Sequence, residues 1–257
     1  MKRQWNICFS FLAKPSEVSG YVPDLIFEDP RLVSIYDGFD GSREDLGNYV
    51  SLSKELRAKT VLDIGCGTGC LAYLLADQGF NVIGVEPAKA SLDFARNKPN
   101  AEKIQWILGD ATILPPLAVD LALMTGNVAQ VFVTDQSWHE TLIGVKLALN
   151  QNGHFVFEVR DPAQKAWLQW TREKTYQRVS LPQVGNVEGW CEVIDVSNEI
   201  VNFRWTYIFE SDGFTISSDS IIRFREREAI ENSLHEAGFA VKEIRESELT
   251  CHSLKEI

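Results

Sequence analysis

Val61-Leu62-Asp63-Ile64-Gly65-Cys66-Gly67-Thr68-Gly69 is the stretch on which the fold turns. Apolar residues frame one acid, and glycine then takes every second position. The pattern predicts a buried parallel strand over Thr60 to Ile64, a tight turn, and a helix beginning near Cys70. Glycines at 65, 67 and 69 admit positive φ and let a ligand approach the backbone without meeting a Cβ. A ligand there rests on the carboxyl end of a strand and the amino end of a helix, the usual crevice of an open α/β sheet. The spacing is G-x-G-x-G, not the G-x-G-x-x-G of dinucleotide-binding oxidoreductases, which disfavours a nicotinamide enzyme. Asp63, two residues before the first glycine, would repel a pyrophosphate and favours a ligand with a cationic end.

Working outward, strands are expected at Asn81–Val85, Lys103–Leu108, Val119–Met124 and His154–Val159. They alternate with helices over Cys70–Gln78, Ala88–Asn97 and Asp135–Leu149. Strands alternating with helices imply a parallel sheet with right-handed crossovers. Two helical pieces, Arg31–Tyr36 and Glu44–Arg57, precede the first strand around a Gly38–Gly41 loop. From about residue 174 to 225 the apolar period drops to two, with Val201, Phe203, Trp205, Tyr207 and Phe209 on one face. Gly185-Asn186, Ser197-Asn198 and Asp212-Gly213 are candidate hairpin turns. A helix over Glu226–Ala237, capped by Gly238, and a strand over Ala240–Arg245 follow. Ser247 to Ile257 forms a poor strand pattern, so a last antiparallel strand there is either very short, missing or replaced.

The tips of the successive strands carry the chemistry-bearing residues. Glu86, followed by Pro87, ends the second strand, where a carboxylate can accept from two ribose hydroxyls. Gly109-Asp110-Ala111 follows the third. Thr125-Gly126-Asn127-Val128-Ala129-Gln130 follows the fourth. In this order, these residues resemble the class I S-adenosylmethionine (SAM)-dependent methyltransferases, whose motif I reads hydrophobic-hydrophobic-D-x-G-x-G-x-G. The resemblance covers residues 31–160.

It implies an α/β fold: a Rossmann-like, mainly parallel sheet with flanking helices, plus an antiparallel β insert after the fifth strand. It divides the chain into an N-terminal arm (1–30), a SAM-binding core (31–162), an insert or lid (163–225) and a C-terminal helix and strand completing the core (226–257). It implies SAM as cofactor, with S-adenosylhomocysteine (SAH) as product. Asp63, Gly65, Cys66 and Gly67 would hold its amino-acid end, Glu86 and Pro87 the ribose, and Asp110 and Ala111 the adenine. Thr125, Asn127 and Val128 would line the methyl group. Tyr36, in Ile35-Tyr36-Asp37, resembles a tyrosine that closes over SAM in small-molecule methyltransferases. Gln130, Arg160, Trp190, Trp205 and Tyr207 are candidates for the acceptor side.

Composition bounds the partners. The chain has 257 residues, 45% hydrophobic and 24% charged, with a net charge of −11. That charge argues against a nucleic-acid partner, which needs basic patches. The turn after the fourth strand also lacks the N/D-P-P-Y/F sequence of amino-group methyltransferases acting on adenine or glutamine. Cys8, Cys66, Cys70, Cys191 and Cys251 are scattered and read as reduced cytosolic thiols, with no metal-ligand spacing. No apolar run approaches the roughly 18 residues of a membrane span. Lys2 and Arg3, followed by Trp5 to Ala13, read as an arm or a packed helix rather than a signal peptide.

The expectation is therefore a cytoplasmic methyltransferase, monomer or homodimer, that acts on a small molecule by in-line displacement. The alternatives are a methyltransferase of the same fold acting on RNA or protein, and a non-catalytic SAM-binding module. No catalytic residue is assigned. Glu158, Asp161, His139 and His154 are candidates for a general base, should the acceptor arrive protonated. Glu158 can instead tie to Arg160. The face carrying Phe203, Trp205, Tyr207 and Phe209, with Trp190 beside it, can form a lid over an apolar acceptor or pack against the core.

Overall fold

The computed structural model describes residues 22–245. The expected segment Trp5 to Ala13, the cysteines 8 and 251, and the candidate last strand lie outside them.

Strands β1 (Thr60–Ile64), β2 (Asn81–Glu86), β3 (Ile104–Leu108), β4 (Val119–Met124) and β5 (Leu149–Phe157) form one parallel sheet in the order β3-β2-β1-β4-β5. Successive residues of a strand point to opposite faces, and helices cover both faces here, so the strands read as apolar runs. Leu62, Val85, Val119 and Met124 pack towards helix Asp135–Ala148 and helix Arg227–Glu236. Val61, Leu121 and Leu123 pack the other way, towards helices Leu46–Glu55 and Cys70–Asp77. Numbered along the chain, the helices are α1 (Leu25–Glu28), α2 (Pro30–Asp40), α3 (Leu46–Glu55), α4 (Cys70–Asp77), α5 (Lys89–Arg96), α6 (Asp135–Ala148), α7 (Arg172–Thr175) and α8 (Arg227–Glu236). The order of β1 and β4 relative to β2 creates a switch point between β1 and β4, and the Gly65–Gly69 turn opens beside it.

A second sheet is antiparallel: β6 (Gln177–Leu181), β7 (Gly185–Ser197), β8 (Ile200–Phe209) and β9 (Phe214–Arg223), in that order. Its inner face carries Val187, Tyr207, Phe209 and Ile216 and packs on Ile26, Leu32, Ile35 and Phe39 of α1 and α2. The alternating aromatics of β8 therefore cover the N-terminal helices, with Tyr207 edge-on to Phe39 at 5.1 Å.

Six expectations need correction. Strand β5 begins at Leu149, where the helix was expected to end, and so includes the five residues before the expected start at His154. Helix α2 runs through Gly38 to Asp40 instead of ending at Tyr36. Gly38 is no breaker; a Cβ there would lie 2.2 Å from the Leu181 side chain, so the glycine lets β6 approach the helix. The first hairpin turns at Pro182–Val184, with Gln183 taking the left-handed position (φ +67), and Gly185 already belongs to β7. The second turns one residue later than expected, at Asn198-Glu199. Trp190 does not share a face with Trp205 and Tyr207. It pairs with Thr206, while Cys191 pairs with Trp205, and a one-residue step reverses the side chain.

Finally, 240–245 is not a strand. Val241 and Ile244 are 47% and 46% exposed, so the alternation has no face to bury. Phe239 packs on Phe155, and Arg245 reaches Glu55 of α3 at 2.7 Å. Among the described residues, nothing pairs with the outer edge of β5.

Candidate functional site

The carboxyl ends of β1, β2 and β4 meet at the glycine turn. Gly65 and Cys66 donate their N–H groups to the Val85 carbonyl (2.9 and 3.1 Å), which binds the turn to β2. Gly65 has φ +69, and a Cβ on it would stand 2.8 Å from the Val128 side chain. Gly67 has φ +53 and faces open space, with no atom within 4 Å of where a Cβ would lie. One glycine thus admits the turn after β4, and the other leaves room for a ligand.

Two carboxylates close the bottom of this opening. Asp63 is 1% exposed and its Oδ2 is buried with no hydrogen-bond partner. Burial, then the charge of Glu86, pushes its pKa up to about 7; Arg43 and a backbone hydrogen bond from Ala72 oppose this only in part. Arg43 is itself held by Asp40 (2.5 Å) and Asp45 (3.0 Å). Glu86 is 6% exposed and accepts from Gly67 N and Ala88 N, both at 2.8 Å. It brackets the partly buried Pro87. Burial lifts Glu86 to about 7 despite those two bonds. A buried carboxylate without a cation is costly, so the pair is poised for a positive or multiply donating ligand.

The other expected residues divide by position. Asp110 caps the short turn Ala111–Ile113 by accepting from Thr112 N (2.8 Å), and Ala111 is buried. Thr125 is buried, and Asn127 adopts a left-handed conformation that starts the short helix Val128–Val131. Cys66 is buried against β2. Its Sγ lies 3.0 Å from the position a Cβ on Gly84 would take, and burial pushes its thiol pKa well up. Tyr36 is partly buried against Phe27, and burial raises its pKa.

Gln130 and Arg160 contact each other: Arg160 Nη1 donates to Gln130 Oε1 at 3.0 Å. Trp205 stacks on Tyr207, whereas Trp190 lies on the outer face under Arg172. Of the base candidates, His139 is exposed on α6 and Asp161 accepts from Ala163 N in its own turn. His154 pairs with Leu121, three residues before the end of β5. Glu158 does not tie to Arg160. Its Oε1 accepts from Gly126 N (2.7 Å) and Asn127 N (3.3 Å), and its Oε2 from Tyr49 Oη (2.5 Å), so it holds the turn after β4 in place.

Two partners were not singled out in the sequence. Asp37 Oδ1 accepts from Thr68 Oγ1 (2.5 Å) and its Oδ2 from Lys98 Nζ (2.7 Å), while Lys98 also donates to the Thr68 carbonyl (2.8 Å). Burial works against the Asp37 carboxylate, but its hydrogen bonds to Lys98 and Thr68 prevail and hold its pKa below the usual range. Tyr49 on α3 is the other. Both join α-helices to strand-tip turns across long sequence separations, so no local pattern marks them. Asp37 was legible only as a neighbour of Tyr36.

Residues 61–153 match the family model described as a methyltransferase domain. That stretch, which carries the glycine turn, Asp63 and Glu86, is similar to a methyltransferase domain. A cypemycin N-terminal methyltransferase from Streptomyces sp is 29% identical to it over 117 residues, 45% of this chain and 48% of that protein. The chain spans about half or less of the length of the first curated relatives it matches. Among solved structures, the sugar N-methyltransferase KedS8 from Streptoalloteichus sp superposes with a TM-score of 0.66 at 15% identity, over 90% of this chain and 91% of that one. The CcbJ methyltransferase from Streptomyces caelestis gives 0.64 at 20% identity, over 80% and 84%. At these identities the superpositions show the fold alone. No helix among the described residues is long and apolar enough to cross a membrane.

Proposed function

We propose that this chain transfers the methyl group of SAM to a small-molecule acceptor. The observation that carries the reading is the opening at Gly67, floored by the unpartnered Asp63 Oδ2 and the buried Glu86. These residues fit SAM. An ammonium would partner Asp63, and a ribose diol would donate to Glu86, whose oxygens keep lone pairs beyond the two backbone donors. Gly65 and Gly67 would pass the amino-acid portion, Asp110 and Ala111 would flank the adenine, and Thr125, Asn127 and Val128 would wall the methyl group. SAM supplies an electrophilic methyl group on a sulfonium. The chain then has to align an acceptor and exclude water, and proximity accounts for most of the catalysis.

Oxygen and nitrogen acceptors are both represented among similar proteins, oxygen by the ubiquinone biosynthesis O-methyltransferases of Coxiella burnetii. A sugar N-methyltransferase and an amino pentose methyltransferase are among the structural neighbours, and an N-terminal methyltransferase is among the relatives. A small-molecule acceptor in the cytoplasm agrees with the net charge of −11.

Calorimetry is expected to show binding of SAM and SAH and none of NAD; the reverse would overturn the reading. Glu86→Ala is expected to weaken SAH binding by roughly 1–3 kcal/mol, the cost of losing a charged hydrogen-bond partner. An unchanged affinity would place the ribose elsewhere.

A further inference from the structure

Most arginines of this acidic chain lie within 4.0 Å of a carboxylate, including Arg31, Arg43, Arg204 and Arg223. Among the described residues Arg57, Arg160 and Arg172 have no such partner. Arg57 is exposed in the turn after α3, and Arg172 lies over Trp190 on the outer face of the second sheet. Arg160 differs because it is partly buried between the two sheets.

Its position is built. Gln130 is 1% exposed, and its Nε2 donates to the Arg223 carbonyl at 3.3 Å, which fixes the amide. Gln130 Oε1 then accepts from both Arg160 Nη1 (3.0 Å) and Arg160 N (3.4 Å). The guanidinium also lies 5.4 Å from the ring centre of the buried Trp170. An arginine so fixed has lost side-chain freedom while leaving Nε and Nη2 without a carboxylate, and its planar fork matches carboxylate or phosphate oxygens. The acids flanking it in sequence are occupied: Glu158 by Gly126, Asn127 and Tyr49, and Asp161 by Ala163. Gln130 follows Val128 by two residues, and Val128 lies against Gly65, so the arginine borders the opening on the side away from Glu86.

We propose that Arg160 receives an anionic group of the methyl acceptor, a carboxylate or a phosphate. The proposal rests on the methyl-transfer reading above and narrows the acceptor to a small molecule with a net negative charge. Gln130 is the positioning residue that presents the guanidinium.

The test uses the full chain saturated with SAH, whose binding is verified first by calorimetry. Failure to bind SAH would refute the methyl-transfer reading itself. Inorganic pyrophosphate and glutarate are then titrated separately into the SAH complex. At least one is expected to bind, roughly 10- to 100-fold more weakly in Arg160→Gln and less weakened in Arg160→Lys, with SAH affinity unchanged in both. Binding of neither anion, or equal binding by Arg160→Gln, overturns the proposal and leaves the methyl-transfer reading standing. A second measurement needs no variant. Products labelled from a metabolite pool with radioactive SAM are passed over an anion exchanger. Retention is expected: loss of retention after phosphatase and phosphodiesterase treatment identifies phosphate, and persistence identifies carboxylate. A labelled product that is not retained overturns the assignment.

Discussion

At the carboxyl end of the parallel sheet, Asp63 and Glu86 are buried with no cation bonded to either. On the antiparallel sheet, acids meet arginines in the open: Glu210 with Arg178 at 2.5 Å and Asp219 with Arg204 at 2.5 Å. Solvent-exposed pairs are screened and contribute little to stability, whereas a buried, unpaired carboxylate costs folding free energy. The parallel sheet therefore holds carboxyls whose charge no bonded cation offsets. The antiparallel sheet uses charge to stay soluble and keep its register. Stability and function pull in opposite directions in the first region and hardly interact in the second.

The comparison is tested most severely at Gly65. Gly65→Ala puts a Cβ at positive φ and 2.8 Å from Val128, so it is expected to cost about 2–4 kcal/mol and abolish SAH binding. Thermal denaturation and calorimetry check both, and an unshifted midpoint would show that the turn can yield.

The pH dependence comes next. The carboxyls of Asp63 and Glu86 titrate near 7 in the folded chain, above their ordinary values of 3.8 and 4.5. The folded state therefore binds more protons than the unfolded state between those limits. The contribution of these two carboxyls to stability is fully present below about pH 4 and is lost as pH rises through about 7, on the order of a few kcal/mol. Asp63→Asn is expected to flatten that decline in denaturation midpoints taken from pH 5 to 8. An identical slope in the variant would mean that Asp63 is compensated in a way the sheet does not reveal.

A smaller effect is expected at Glu158. Glu158→Ala strands Gly126 N, Asn127 N and Tyr49 Oη, for a loss of about 1–3 kcal/mol and faster amide exchange at residues 126 and 127. Exchange that accelerates elsewhere and not there would remove Glu158 from the turn. The smallest effect is on the second sheet. Arg204→Ala should leave the thermal midpoint within experimental scatter, and a clear drop would mean that the exposed pairs bear more of the fold than their exposure implies.

The same contrast explains what could be read from the sequence. The parallel sheet was legible because its signals are local: apolar runs, glycine after β1, acids at successive tips. All five strands were anticipated, the first four to within one residue, whereas β5 begins at Leu149, five residues before the expected His154. The antiparallel insert was legible as strands but not in register, because register depends on pairing partners and turn geometry. Trp190 fell on the wrong face for that reason, and so did the first hairpin, where Gln183 rather than a glycine takes the left-handed position. The segment 240–245 carried the alternation of a strand but had no surface to cover. In the site, Asp63, Gly67 and Glu86 followed from chain order alone. Lys98, whose partner Asp37 is 61 residues away, left no trace in any window. Glu158 was noticed as an acid, and its task emerged only from three donors on two other segments.

Helix α2 touches both halves of the molecule. Asp37 grips the glycine turn through Thr68, and two residues later Phe39 seats against Tyr207 of the second sheet. Thermodynamic linkage makes such a helix a two-way lever. If an acceptor settling between the sheets displaces α2 and thereby tightens or loosens the hold on the donor by some factor, the donor changes the affinity for the acceptor by that same factor. The two substrates would then sense each other through a single helix.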